Sequence, residues 1–183
     1  MSRPAMTVPP RTDYGRREAA QRWLLRAATD VPTALGQWGS GPAVLVAGRG
    51  WDAVRVPYEA LDPAFDAGTD PTTLRTCLSR LRLIGPAFCD PRRANLYFLV
   101  QARTDRQWPH EELSPVDVVC FGGTGPYAHH IGVPRVDRTE PPGLFWLVPL
   151  DRVGYRHVDA AHLLGVVRAR RQAVPELVPG TGR

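Results

Sequence analysis

Lysine is absent from the 183 residues, so all 23 basic side chains are arginine and the net charge of +5 rests on guanidinium groups alone. That absence excludes a nucleotide loop of the GxxxxGK[ST] type, which needs a lysine on the phosphates. Its plain source is a GC-rich coding sequence, which also favours Ala, Gly and Pro. Its functional counterpart is anion or nucleic-acid contact, because guanidinium forks match phosphate geometry. Cysteine is scarce: Cys77, Cys89 and Cys120 are far apart and odd in number, which excludes a disulfide framework and a CxxC zinc knuckle and assigns them to the core. The serines are Ser2, Ser40, Ser79 and Ser114, none in a GxSxG elbow, so serine hydrolysis has no support. No stretch reaches the roughly 18 apolar residues of a membrane span, and the first thirty residues show no cationic, apolar, small-residue leader. The expected location is the cytoplasm, with no membrane partner.

What is present suffices for one core. A hydrophobic content of 43% with five Trp, five Tyr and five Phe fits a single domain of ordinary size. Residues 1–13 and 173–183 are rich in Pro or lack periodicity and are expected as tails around a domain at 14–172. From Tyr14 to Thr29, Ala20, Trp23, Leu24, Ala27 and Ala28 fall on one helical face, with Arg16, Arg17, Arg22 and Arg26 outside; the pattern predicts a helix ending near Asp30-Val31-Pro32. Ala43 to Ala47 and Trp51 to Val56, separated by Gly48-Arg49-Gly50, read as a β-hairpin. Alternation in its second strand sends Asp52, Val54 and Val56 to one face and Trp51, Ala53 and Arg55 to the other.

Asp70-Pro71 is a helix start, with Leu74, Cys77, Leu78 and Leu81 as its stripe. Ala87 to Cys89, Leu96 to Ala102, Val116 to Phe121, Ala128 to Val133 and Leu144 to Leu150 read as short strands in succession. A last helix from near Asp159 buries Leu163, Leu164 and Val167 and gathers Arg168, Arg170 and Arg171 at its C-terminal end, where cations complement the dipole. Helix, hairpin, helix, meander and helix define an α+β class: one domain, a mainly antiparallel sheet, helices packed against it.

Candidate chemistry is sparse. Gly122-Gly123-Thr124-Gly125 precedes a strand rather than a helix, so a hairpin turn explains it better than a phosphate loop. No HExxH pattern organises His110, His129, His130, His157 and His162. His129 and His130 are adjacent on a strand and face opposite sides. A Cys120/His129 pair is conceivable, but a strand cysteine is ordinarily an inert small hydrophobe. A metal clamp wants two acids at i, i+2 on one strand; at Asp52 and at Asp117 the second position is Val54 or Val119.

The strings PAVLVAGRGWDAVRVP, NLYFLV, CFGGTGPYAHHIGVP and GLFWLVPL, followed by an Ala/Leu/Arg helix, resemble small actinobacterial proteins grouped with the bifunctional DNA primase/polymerase N-terminal domain of the archaeo-eukaryotic primase superfamily. The resemblance spans roughly residues 18–172. It implies an acid-x-acid strand for metal at Asp52 or Asp117, a small-x-His strand for phosphates at His129 or His130, and a third acid. Because the acid pair is incomplete, the expected function is a degenerate, non-catalytic domain that binds nucleic acid or nucleotide, or an interaction module, with Arg49, His129, His130 and Arg135 as phosphate contacts and no cofactor. One alternative is an active, divergent DNA primase/polymerase using Mg²⁺ or Mn²⁺, its second carboxylate coming from Asp90 or Asp105. The other is a regulatory scaffold without ligand, whose exposed Trp and Arg side chains meet a protein partner.

Overall fold

The computed structural model describes residues 12–173. The tails expected at 1–11 and 174–183 lie outside the described residues, whereas Asp13 and Ala173 belong to helices rather than to tails. Helix α1 (Asp13–Leu25) starts at Thr12, whose hydroxyl accepts from the Gly15 N–H at 3.2 Å. It ends earlier than its periodicity suggests, and Ala27 and Ala28 are buried in the turn beyond it. A second helix, α2 (Val31–Gln37), follows at once. Asp30 caps it through the Thr33 N–H at 2.8 Å, with a proline in the first turn, so the sequence that looked like a stop is also a start.

Strands β1 (Ala43–Val46) and β2 (Asp52–Pro57) are not a hairpin. The 48–50 turn closes through Gly48 N–H to Trp51 C=O at 2.8 Å, but β1 pairs with β6 (His130–Val133) in a two-stranded sheet, while β2 enters a separate five-stranded one. The reason lies in the neighbours of β1. Its outer edge is taken by the Gln37 side chain, which accepts from the Val44 N–H, and by the Ala27 carbonyl, which accepts from the Val46 N–H, both at 2.8 Å. Gly48, at φ 93°, lies so close to the 122–125 loop that a Cβ there would sit 2.3 Å from the Gly123 nitrogen. Gly48→Ala is therefore expected to destabilise the protein by about 2–4 kcal/mol, from backbone clash added to left-handed strain, as a lower midpoint in chemical denaturation.

The larger sheet runs β5 (Val119–Phe121), β2, β4 (Asn95–Val100), β3 (Ala87–Asp90) and β7 (Phe145–Val148), antiparallel throughout. Alternation along β2 is as read from the sequence, but both faces are buried. Val54 and Val56 join a core with Leu96, Phe98 and Val100 under helices α3 (Tyr58–Leu61), α4 (Pro71–Arg80), α5 (His110–Leu113) and α6 (Ala160–Ala173). Trp51 and Ala53 join a second core with Phe88, Leu99 and Trp146 beneath α1, α2 and the small sheet. Each fully buried large apolar side chain contributes about 1.5–3 kcal/mol, so this second core gives the small sheet its hold.

The class expected from sequence, α+β with helices against antiparallel sheet, is the observed one. Strand β5 is shorter than expected, because Ser114–Val116 is a 3₁₀ turn and Asp117 is left-handed at φ 53°. The Trp side chains are not exposed: Trp38, Trp51, Trp108 and Trp146 are buried and Trp23 is half-buried. At the α6 end, Arg168 forks onto the Glu112 carboxylate and Arg171 donates to the Glu112 carbonyl. These cations therefore tie helices together. Among the described residues no helix is long and apolar enough to cross a membrane.

Candidate nucleic-acid interface

A groove of about 840 Å³ runs between the small sheet and the β3–β4 end of the large one. Four arginines line it, Arg92, Arg93, Arg135 and Arg138, against one lining carboxylate, Asp90. Two short turns place them. Between β3 and β4 the Asp90 carboxylate accepts the Arg92 N–H at 3.2 Å and closes a tight turn that leaves Arg92 and Arg93 exposed. After β6 a turn closed by Arg138 N–H to Arg135 C=O at 2.9 Å presents the other two. Arg135 is held by a fork onto Asp137 at 2.6 and 2.9 Å, and Arg138 donates to the Pro142 carbonyl at 2.9 Å. Arg92 has no ion-pair partner among the described residues.

Tyr97 forms part of the same wall. One face of its ring stacks on buried Phe88, with centroids 4.9 Å apart and 5° between the planes. Across the sheet Tyr97 is in register with Arg55, which lies 5.6 Å over the Phe121 ring and pairs with Asp117 at 2.5 Å. His129 packs on the same Phe121 at 5.5 Å, and its Nδ1–H donates to the Gly122 carbonyl at 2.8 Å. Arg55, Tyr97, Phe121 and His129 are each only half-buried. The uncovered part of this sheet face thus sets the Arg55 guanidinium among aromatic rings, and along β2 it offers Arg55 rather than an acid.

The carboxylate of β2 lies on the opposite face. Asp52 is fully buried, and its Oδ2 accepts the backbone N–H of Asp105 at 3.0 Å. Asp105, on a 3₁₀ turn at Thr104–Arg106, is buried too; its Oδ2 accepts the Thr124 N–H at 2.9 Å and the Thr124 hydroxyl. Burial is the main cause that pushes the Asp52 carboxyl up to about 6, opposed by backbone donors and reinforced by the Asp105 charge. Asp105 is held below the ordinary carboxylate range: burial alone would raise it, but hydrogen bonds from Thr124 and from Asp52 outweigh that. Nearby Cys120 is pushed up by burial and by both acids, which makes it an inert thiol.

The carboxylate that converges on Asp52 is Asp105; Asp90 belongs to the groove and Asp117 to the Arg55 pair. This buried pair does not fit a hydrated divalent ion. Such an ion keeps several waters and needs room, yet Gly122 packs so tightly on Asp105 that a Cβ there would lie 2.2 Å from its Cγ. Among the described residues no group of three or more His, Cys, Asp or Glu side chains converges. Of the expected phosphate contacts, only Arg135 lines the groove. Arg49 is exposed at the 48–50 turn and donates to the Ala28 carbonyl at 3.0 Å. His129 borders the aromatic face, and His130 is exposed on β6 opposite Val46. Sequence reasoning missed Arg92, Arg93, Arg138 and Tyr97. The adjacent arginines in a two-strand turn were the available signal for two of them; the meeting of that turn with the one after β6 is a tertiary fact. No family model, curated protein or solved structure matches the chain.

Proposed function

We propose that this chain is a non-catalytic domain of primase/polymerase type that binds nucleic acid or a nucleotide through its arginine groove. The observation that carries the reading is the arrangement of four exposed guanidinium groups around Tyr97 with a single lining carboxylate. Guanidinium forks bind phosphate oxygens, and an aromatic face backed by a buried ring is a platform on which a base stacks. The open part of the sheet face presents Arg55 and Phe121 beside it, so the cationic and aromatic character continues beyond the groove. The resemblance of the strand strings to primase/polymerase domains supports the same reading, and the burial of Asp52 supports loss of catalysis.

One observation favours the competing reading of a metal-dependent nucleotidyltransferase: Asp105 meets Asp52. A two-metal clamp must face its substrate, and this pair is enclosed. Binding of labelled single-stranded DNA, duplex DNA and a nucleoside triphosphate, with and without Mg²⁺ or Mn²⁺, separates the two. Salt-sensitive binding indifferent to metal is expected; triphosphate binding that requires metal would favour the enzyme. No binding even at low salt would favour a protein partner instead.

A further inference from the structure

Asp52 and Asp105 form a pair with an uncommon neighbourhood. Strand β2 contributes Asp52, the 3₁₀ turn contributes Asp105, β5 contributes Cys120, and the 122–129 loop contributes Thr124 and, one carbonyl away, His129. Neither carboxylate has an arginine or histidine partner among the described residues. The Oδ1 atoms of both are buried without a hydrogen-bond partner. Two acids joined through the Asp105 N–H, enclosed and without a cation, favour holding one proton between them in acid solution. Asp52 is the member that keeps it, because Asp105 already accepts two hydrogens from Thr124 and is better satisfied as the anion.

We propose that Asp52 and Asp105 act as a proton-operated latch on the glycine-rich 122–129 loop. With the proton in place, Asp52 donates to Asp105, and the Asp105 carboxylate holds Thr124. When base in the solvent removes that proton, two carboxylates face each other in a confined space. Their repulsion is relieved when Asp105 swings away and releases Thr124. Little opposes the release, since residues 123–128 are all exposed and Tyr127 is 78% exposed; a segment with so little apolar burial opens at low cost. The upward displacement of the Asp52 carboxyl and the downward displacement of the Asp105 carboxyl have the directions this division of roles requires. Because His129 donates to Gly122 and packs on Phe121, release of the loop also loosens one border of the aromatic face. The latch stands whether or not the groove binds nucleic acid, and its test does not use a ligand.

Hydrogen exchange of the Thr124 amide in the full chain, corrected for intrinsic exchange, is compared at about pH 5 and about pH 8. In the wild type its corrected rate is expected to rise about tenfold or more at the higher pH. Asp52→Asn, whose amide N–H replaces the acid proton, should keep it slow at both, and Asp105→Ala, which removes the acceptor, should make it fast at both. Equal corrected rates in the wild type would overturn the latch without recourse to any variant. So would a pH step that persists in Asp52→Asn, or one that added Mg²⁺ abolishes, since the latter would make the pair a cation site.

Discussion

Asp52→Asn is expected to stabilise the folded protein at about pH 8 by about 2–3 kcal/mol and to raise its melting temperature by about 5–10 °C. Burial lifts the carboxyl from its ordinary 3.8 to about 6. At about 1.4 kcal/mol per tenfold in the proton equilibrium, keeping it ionised in the folded state costs about 3 kcal/mol. A raised carboxyl contributes stability that is complete below 3.8 and gone once the pH passes about 6. Asp105, being lowered, contributes stability present above 3.8 and lost as the pH falls through its depressed value. The wild type should thus be most stable in mildly acid solution and weaken toward neutrality. The Asn variant lacks the ionisable group, keeps its shape and can donate to Asp105, so its stability should be flat across the same rise. Thermal melts of both proteins across that range decide it. A variant no more stable than the wild type at about pH 8 would mean that Asp52 is not burdened by burial.

The second large effect concerns the groove. Replacing Arg92, Arg135 and Arg138 together with Ala is expected to weaken binding to a single-stranded oligonucleotide about 100-fold or more at low salt, with little change in stability. These side chains are exposed and line the groove without supporting the core. Each guanidinium on a phosphate releases about 0.7 of a counterion from a single strand, so the slope of log affinity against log salt should become shallower by about 2. Tyr97→Ala tests the other half of the surface. Stacking is worth about 1–3 kcal/mol per base, so its loss should weaken binding while leaving the salt slope unchanged. A structural account of Tyr97, which also supports Phe88, gives a lower melting temperature without that affinity change.

The legible parts of the fold were those fixed by local chemistry. Asp70 followed by Pro71 marks the start of α4 to the residue, and alternation along β2 sorts Val54 and Val56 from Trp51 and Ala53 without reference to any partner strand. Asp30-Val31-Pro32 carries the same start signal, yet in the sequence it reads only as an end, because the preceding periodicity runs across Ala27 and Ala28, which are buried for tertiary reasons. The apparent hairpin at 43–56 failed for a related cause: a short glycine turn permits pairing, but Gln37, Ala27 and β6 compete for β1 and win.

At the candidate site, Asp52 stands out in the sequence from its place in a strand, and Asp105 is one of two acids that could join it. Only the packing of the 3₁₀ turn on β2 shows that they meet, and that they meet inside. The groove was the least legible, since Arg92 and Arg138 are two among 23 arginines until the β3–β4 turn and the turn after β6 are brought to one wall.

Binding of a fluorescently labelled single-stranded oligonucleotide to the wild type and to the arginine triple variant, across a salt series from about 50 to about 200 mM without divalent metal, bears most directly on the central proposal. Wild-type affinity that falls steeply with salt, with the variant weaker and its slope shallower, is the expected result. Equal affinities and slopes for the two proteins would contradict it, because whatever bound would not be using the groove.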